Sequence, residues 1–91
     1  MNDEERTLWA DVNGEVVPAS EAKVSAWDRG FLFGDSVFEA VRIHHGRPVL
    51  WDVHTLRLMS SARGIRFENV PDPDDLLRRT MALIRKSGLD S

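Results

Sequence analysis

Two turn-forming dipeptides most constrain how the N-terminal half of this chain folds. Asn13-Gly14 is a strong signal for a two-residue hairpin loop, because both residue types tolerate the positive φ values that such a loop requires. It predicts a strand over Thr7–Val12 and a returning strand over Glu15–Val17, which Pro18 ends. A second turn at His45-Gly46 predicts another hairpin.

The arms of the second hairpin are predicted from residue alternation. Ser36–His44 is the clearest strand, with Val37, Val41 and Ile43 on one parity, and Arg47–Trp51 forms the returning arm. Between the hairpins, we expect Ala19–Ser25 to be a loop or short edge. Trp27–Asp35, where two glycines bracket aromatic residues, is predicted to be a shaped loop rather than a regular element.

The C-terminal half predicts two helices. Asp52 caps a helix over Val53–Arg63, which Gly64 ends. Asp72–Asp75 opens a second helix with a capping Asp, a Pro in the first turn and two acids, and Gly88 ends it. The apolar stripe of this helix comprises Leu76, Leu77, Met81, Leu83 and Ile84.

Strands followed by helices predict an α+β fold, with a mainly antiparallel sheet and two helices on one side. The 91 residues suit one small domain. Because the chain ends just after a helix, we expect a fragment whose sheet has an unsatisfied edge. The net charge of −3 argues against nucleic acid as a partner. A polar N-terminus and the lack of a long apolar run argue against a signal peptide and a membrane, and predict a cytoplasmic protein.

The second face of the long predicted strand carries Phe38, Ala40 and Arg42. An aromatic ring, a small side chain and a guanidinium in line form a plausible pocket wall, with Arg42 engaging an anion or carboxylate. The alternative is a solvent-facing side with one surface arginine. Glu39 interrupts the opposite, apolar face, and its carboxylate needs a partner if it is buried.

Arg57 lies in the second predicted turn of the first helix, with His54 three residues before it on the same face. The N-terminus of a helix favours anions, and a guanidinium binds phosphate through two hydrogen bonds. The alternative is a solvated surface arginine. No metal site is predicted, because His44-His45 lies at a turn without a further spaced ligand, and the acids near Asp72 fit helix capping better than calcium binding.

Three motifs together resemble the N-terminal domain of fold-type IV pyridoxal 5′-phosphate (PLP) enzymes. They are Asn13–Glu15, Asp28–Arg42 and His54–Leu58, the last leading into Ser61-Ala62. The family includes branched-chain and D-amino-acid aminotransferases, (R)-selective amine transaminases and aminodeoxychorismate lyase. The resemblance spans about residues 8 to 88 and implies the small N-terminal domain of the D-amino-acid aminotransferase-like fold.

The resemblance also implies roles by position. Arg57 matches the arginine that holds the PLP phosphate, and the adjacent His54 is a candidate to support it. Phe38, Ala40 and Arg42 match residues that line the substrate pocket. These two assignments together require the Arg57 guanidinium and this strand face to lie close together.

The resemblance places the lysine that forms the Schiff base with PLP in a larger C-terminal domain. Lys23 and Lys86 do not match its position, so we expect no catalytic residue in these 91 residues and no activity from them alone. The complete enzyme is expected to be a homodimer acting on an amino acid or amine and a 2-oxo acid. The alternatives are half of an aminodeoxychorismate lyase, or a non-catalytic interaction domain that reuses the fold.

Overall fold

The computed structural model describes residues 8–89 and confirms the α+β fold class. The strands are antiparallel, but they form two separate two-stranded sheets rather than one sheet. A 3-10 turn, Ala19–Glu21, lies in the predicted loop after the first hairpin. The other elements are β1 (Trp9–Val12), β2 (Glu15–Pro18), α1 (Arg29–Phe33), β3 (Ile43–His44), β4 (Arg47–Pro48), α2 (Trp51–Gly64) and α3 (Pro73–Ser87).

The first hairpin is confirmed. Val12 pairs with Glu15 across the Asn13-Gly14 loop, whose φ values of 54° and 92° are the left-handed pair that the dipeptide predicted. The Gly14 N–H donates to Asp11 Oδ1 at 2.8 Å, which fastens the loop to β1. Thr7, the predicted start of this strand, lies outside the described residues.

The prediction of a paired strand over Ser36–His44 is wrong for most of its length. Only Ile43 and His44 pair with β4, and the Val49 N–H adds one bond to the Arg42 carbonyl at 2.8 Å. Exposure nevertheless alternates residue by residue from 36 to 44, as in an extended chain. An alternating pattern predicts which way side chains point, but a β-strand also needs backbone hydrogen bonds to a neighbouring strand. The described residues provide no such neighbour for positions 36 to 41.

The segment predicted as a loop without regular structure contains α1, so that prediction is wrong. Asp28 caps this helix, because its carboxylate accepts the Gly30 N–H at 2.9 Å. Gly34, with φ 70°, ends it after five residues. The Arg29 guanidinium donates to Asp35 at 3.0 Å, so the segment is closed by its own side chains.

Helix α2 begins two residues before its predicted start, and Asp52 is not its cap. Leu50 occupies the N-cap position with φ 56°, and Asp52 lies in the first turn, where its charge favours the positive end of the helix. Gly64 is the last helical residue rather than the residue after the end. This start is set by the tight β4–α2 connection, which propensity does not encode.

Helix α3 is confirmed from Pro73 to Ser87, with Gly88 in the left-handed conformation at its end. Asp72 occupies the N-cap position, although its side chain makes no capping hydrogen bond. The helix packs against β1 and β4, so it connects the two hairpins. Its Ile84 is 5% exposed and, with Ala62 of α2, forms the buried apolar core of the described residues.

Polar contacts supplement this small core. Arg79 of α3 donates to Asp11 of β1 through Nε at 3.0 Å and Nη2 at 2.5 Å. Lys86 places its Nζ 4.4 Å from the centre of the Trp9 ring, a cation–π contact between the same two elements. Within residues 8–89, no helix is long and apolar enough to cross a membrane.

Candidate functional site

A cluster of Glu39, His54 and Arg57, here called the Glu39 cluster, joins the extended segment to helix α2. Glu39 Oε1 lies 2.6 Å from His54 Nδ1 and accepts a hydrogen bond from Arg57 Nη2 at 2.6 Å. Glu39 Oε2 accepts from Arg57 Nε at 3.0 Å. One carboxylate therefore fixes two side chains that lie one helical turn apart.

The short contact to Glu39 determines which nitrogen of His54 carries a proton. An ionised carboxylate only accepts hydrogen bonds, so the nitrogen at 2.6 Å must donate. Arg57 Nη2 also lies 3.2 Å from Nδ1, but both groups are then donors and this approach is not a hydrogen bond. In neutral His54 the remaining nitrogen, Nε2, is an acceptor, so it donates to an anion only after the ring gains a second proton.

Arg57 keeps free hydrogen-bonding capacity. A guanidinium has five N–H donors, and the bonds to Glu39 occupy the Nε–H and one on Nη2, which leaves three. The Arg57 side chain is 59% exposed, whereas that of Glu39 is 14% exposed. Arg57 is therefore anchored on its inner edge and presents an outer edge of donors to solvent.

The charges of the cluster reinforce one another. Hydrogen bonds from Arg57, and next from His54, lower the pKa of the Glu39 carboxyl to about 2. The same carboxylate raises the pKa of Arg57 further above its ordinary value. Glu39 is therefore ionised at neutral pH, and the partner that its place on an apolar face required is the Arg57–His54 pair.

The other predicted site residues lie on the opposite side of the extended segment. Phe38 is 87% exposed, and Ala40 and Arg42 are also exposed, while Glu39 between them points to α2. The structure thus brings Arg57 and His54 together, and it keeps Phe38, Ala40 and Arg42 on a shared face. The two sets occupy opposite faces of one segment rather than the single surface that the sequence analysis required.

Sequence reasoning missed an open groove of about 910 Å³ on another part of the molecule. Its lining combines Asn13, Asp28, Arg29 and Asp35 with residues 65–69. No sequence signal connects these distant segments. The groove includes none of the predicted site residues, and its mixed charges do not select one ligand.

Neither lysine is part of the Glu39 cluster. Lys86 contacts Trp9 between β1 and α3, and Lys23 is exposed in the loop after the 3-10 turn. Within residues 8–89, the hydrogen bonds of the cluster come from Glu39, His54 and Arg57 themselves.

Comparison with known proteins places this arrangement in context. The chain is 35% identical over 86 residues to branched-chain-amino-acid aminotransferase-like protein 2 from Arabidopsis thaliana, covering 94% of the chain and 15% of that protein. It is 32% identical over 80 residues to D-alanine aminotransferase from Staphylococcus aureus, covering 88% of the chain and 28% of that enzyme. This confirms the predicted resemblance to class IV aminotransferases.

A third relative comes from another organism. A putative branched-chain-amino-acid aminotransferase from Methanocaldococcus jannaschii is 31% identical over 78 residues, which cover 86% of the chain and 27% of that protein. The chain therefore spans between 15% and 28% of the length of these three relatives. No protein-family model matches the chain.

Proposed function

We propose that this chain is the N-terminal small domain of a PLP-dependent class IV aminotransferase and that Arg57 binds the cofactor phosphate. One observation carries the proposal: Glu39 anchors the Arg57 guanidinium by its inner edge, and three N–H donors remain on the outer edge. Phosphate oxygens are preferred acceptors for such a planar set of donors. The similarity to aminotransferases supports PLP as the proposed cofactor.

The residues present fit the phosphate end of PLP. Arg57 contributes charge and geometry, and a protonated His54 would add one donor through Nε2. When bound, PLP supplies the electron sink for moving an amino group between an amino acid or amine and a 2-oxo acid. Residues 8–89 place Phe38, Ala40 and Arg42 on the side of the segment away from Arg57 and so do not join them to the phosphate site. Their contribution to the substrate pocket, with Arg42 available to a carboxylate, is therefore a separate proposal.

Other parts of the catalytic apparatus are expected from a C-terminal catalytic domain and a homodimer partner. Neither Lys23 nor Lys86 takes part in the hydrogen bonds of the Glu39 cluster, and we propose that the 91-residue chain alone is inactive. Since Phe38 lies opposite Glu39, residues outside this chain would have to complete the surface on each side of the segment. The cytoplasmic location predicted from sequence stays a prediction.

A non-catalytic interaction domain is the second candidate, and the exposed aromatic residues favour it. Trp27, Phe31, Phe33 and Phe38 are all exposed in this chain, as expected of a surface that another protein covers. Phosphate-dependent ligand binding separates the two candidates, because an interaction domain has no use for a phosphate site.

The test compares pyridoxine 5′-phosphate with pyridoxine, which lack the aldehyde and so do not react with lysines. Isothermal titration of the 91-residue chain should show tighter binding of the phosphorylated ligand. Arg57→Ala should reduce this preference by about tenfold or more, the scale of one lost charge-assisted contact. Arg63→Ala is the matched control, because Arg63 is an exposed arginine in the last turn of the same helix. An equal preference in wild type and Arg57→Ala would contradict the proposal.

A further inference from the structure

We infer that Glu39 is a positioning residue, whose carboxylate holds the Arg57 guanidinium in one orientation and fixes the Nδ1–H form of His54. The consequence for ligand binding rests on the proposed phosphate site. Glu39 itself is turned towards α2 and is only 14% exposed, so it is not a ligand-binding group. It acts through the two side chains that it holds.

The contact geometry explains why this position needs a carboxylate. Oε1 serves both His54 Nδ1 and Arg57 Nη2, each at 2.6 Å, while Oε2 takes the Nε–H of Arg57. A free arginine samples many rotamers, and holding it in one orientation at a binding site costs conformational entropy. Glu39 meets this cost on folding, before any ligand arrives.

Net charge does not explain the arrangement. The Glu39 carboxylate offsets the positive charge of Arg57 and would repel an incoming phosphate. A site built for charge alone would be better with a neutral residue at position 39. The value of Glu39 to an anion site therefore lies in the orientation that it imposes on Arg57.

A purely structural role is the competing explanation, in which the Glu39–Arg57 pair only fastens the extended segment to α2. Two substitutions separate the effect of the length of the Glu39 side chain from the effect of its charge. Glu39→Asp keeps the charge but shortens the side chain by one methylene, so the contacts to α2 are lost. Glu39→Gln removes the charge but keeps the reach. Its amide oxygen can still accept from both His54 Nδ1 and Arg57 Nη2, whereas its NH2 group replaces the oxygen that accepts from Arg57 Nε and that one hydrogen bond is lost.

Nitrogen-15 NMR of the chain measures the positioning without any ligand. In wild type we expect the His54 pattern of an Nδ1-protonated ring and a slowly exchanging Arg57 Nε–H. Glu39→Gln should keep the His54 pattern, because its amide oxygen still accepts from Nδ1. In Glu39→Asp we expect both features to disappear while the backbone spectrum stays that of the folded chain. If His54 and Arg57 keep these features in Glu39→Asp, Glu39 does not position them.

Titration of the same variants with pyridoxine 5′-phosphate and pyridoxine measures the consequence. We expect Glu39→Asp to reduce the preference for the phosphorylated ligand by about 3- to 10-fold, the effect of a guanidinium that must be ordered on binding. Glu39→Gln should lose less. An unchanged preference in Glu39→Asp, or a larger loss in Glu39→Gln, would overturn the inference.

The Arg57→Ala variant separates failure of this inference from failure of the proposed function. If Arg57→Ala and wild type have the same preference, the phosphate site itself is wrong, whatever Glu39 does. If Arg57→Ala loses the preference for the phosphorylated ligand and Glu39→Asp keeps it, the phosphate site is supported. Glu39 then has only a structural role, in holding the extended segment against α2.

Discussion

At Glu39, a hydrogen-bonded guanidinium and imidazole stabilise a carboxylate on the extended segment. The carboxylate has a pKa of about 2, against an ordinary value of 4.5. Its ionised form therefore favours the folded state above about pH 4.5, and this contribution is lost as the pH falls from 4.5 towards 2. The hydrogen bond from Arg57 contributes most to the lowered pKa of Glu39, so this pH-dependent stabilisation depends more on Arg57 than on His54.

The first prediction concerns this titration. Arg57→Ala should raise the pKa of Glu39 from about 2 back towards 4.5, as followed by the carbon-13 shift of its carboxyl group. His54→Ala should raise the pKa of Glu39 less, because the hydrogen bond from His54 lowers this pKa less than the hydrogen bond from Arg57 does. An equal or larger shift in His54→Ala would contradict the order of the two contacts.

The acid dependence of stability gives a second prediction. Between pH 4.5 and pH 2, the thermal unfolding midpoint of wild type should fall more steeply than that of Arg57→Ala, which has already lost the paired carboxylate. Arg63→Ala serves as the control and should follow wild type. Parallel curves for wild type and Arg57→Ala would show that the Glu39 cluster contributes nothing to acid stability.

At the level of elements, the Asp11–Arg79 pair fastens β1 to α3. Its hydrogen bond lowers the pKa of Asp11, despite an opposing effect of burial. The pair is more enclosed than its neighbour on α3, since the Arg79 side chain is 31% exposed and that of Arg78 is 77% exposed. The Asp11–Arg79 pair is therefore expected to contribute more to the free energy of unfolding than the Asp75–Arg78 pair.

A third prediction follows from that difference. Arg79→Ala should lower the free energy of unfolding by about 1–2 kcal/mol, because it leaves the Asp11 carboxylate without its partner in a half-buried place. Arg78→Ala is the matched control and should cost less than about 0.5 kcal/mol, as for exposed ion pairs within a helix. Urea unfolding of both variants measures the difference, and equal losses would assign no special role to the inner pair.

The elements also show what could be predicted from sequence and why the rest could not. Asn13-Gly14 and Asp72-Pro73 are local signals whose backbone preferences need no tertiary partner, so the first hairpin and α3 were correctly predicted. The start of α2 at Trp51 and the helix in Arg29–Phe33 depend on short connections and caps that periodicity does not report.

The site was predictable to a similar extent. His54 and Arg57 share a helix face because of their spacing alone. Glu39 was recognisable as a charged residue on the otherwise apolar face of the predicted strand. That the three meet depends on how the extended segment lies against α2, which no local pattern contains. For the same reason, the sequence did not reveal that Phe38, Ala40 and Arg42 lie opposite the Glu39 cluster.

At the scale of the whole molecule, aromatic residues of the Trp27–Phe38 region are left exposed. They lie around α1 and the start of the extended segment, whose backbone lacks a neighbouring strand in the described residues. In the proposed complete enzyme, this surface would face the rest of the polypeptide or the homodimer partner.

A fourth prediction tests this exposed surface. The 91-residue chain should bind a hydrophobic dye and self-associate with rising concentration, as measured by fluorescence and sedimentation velocity. Phe31→Ser combined with Phe33→Ser should reduce both effects while changing the unfolding midpoint little, because both rings are exposed. Val24→Ser, at another exposed apolar position, is the control. Unchanged self-association in the double variant would exclude α1 from the interacting surface.

The most direct test of the central claim observes Arg57 itself while a phosphorylated ligand binds. In nitrogen-15-labelled chain, pyridoxine 5′-phosphate should shift the guanidinium N–H signals of Arg57 at the same concentrations that shift the phosphorus-31 signal of the ligand. Pyridoxine should leave the Arg57 signals in place. Binding of the phosphorylated ligand without any change at Arg57 would contradict the account.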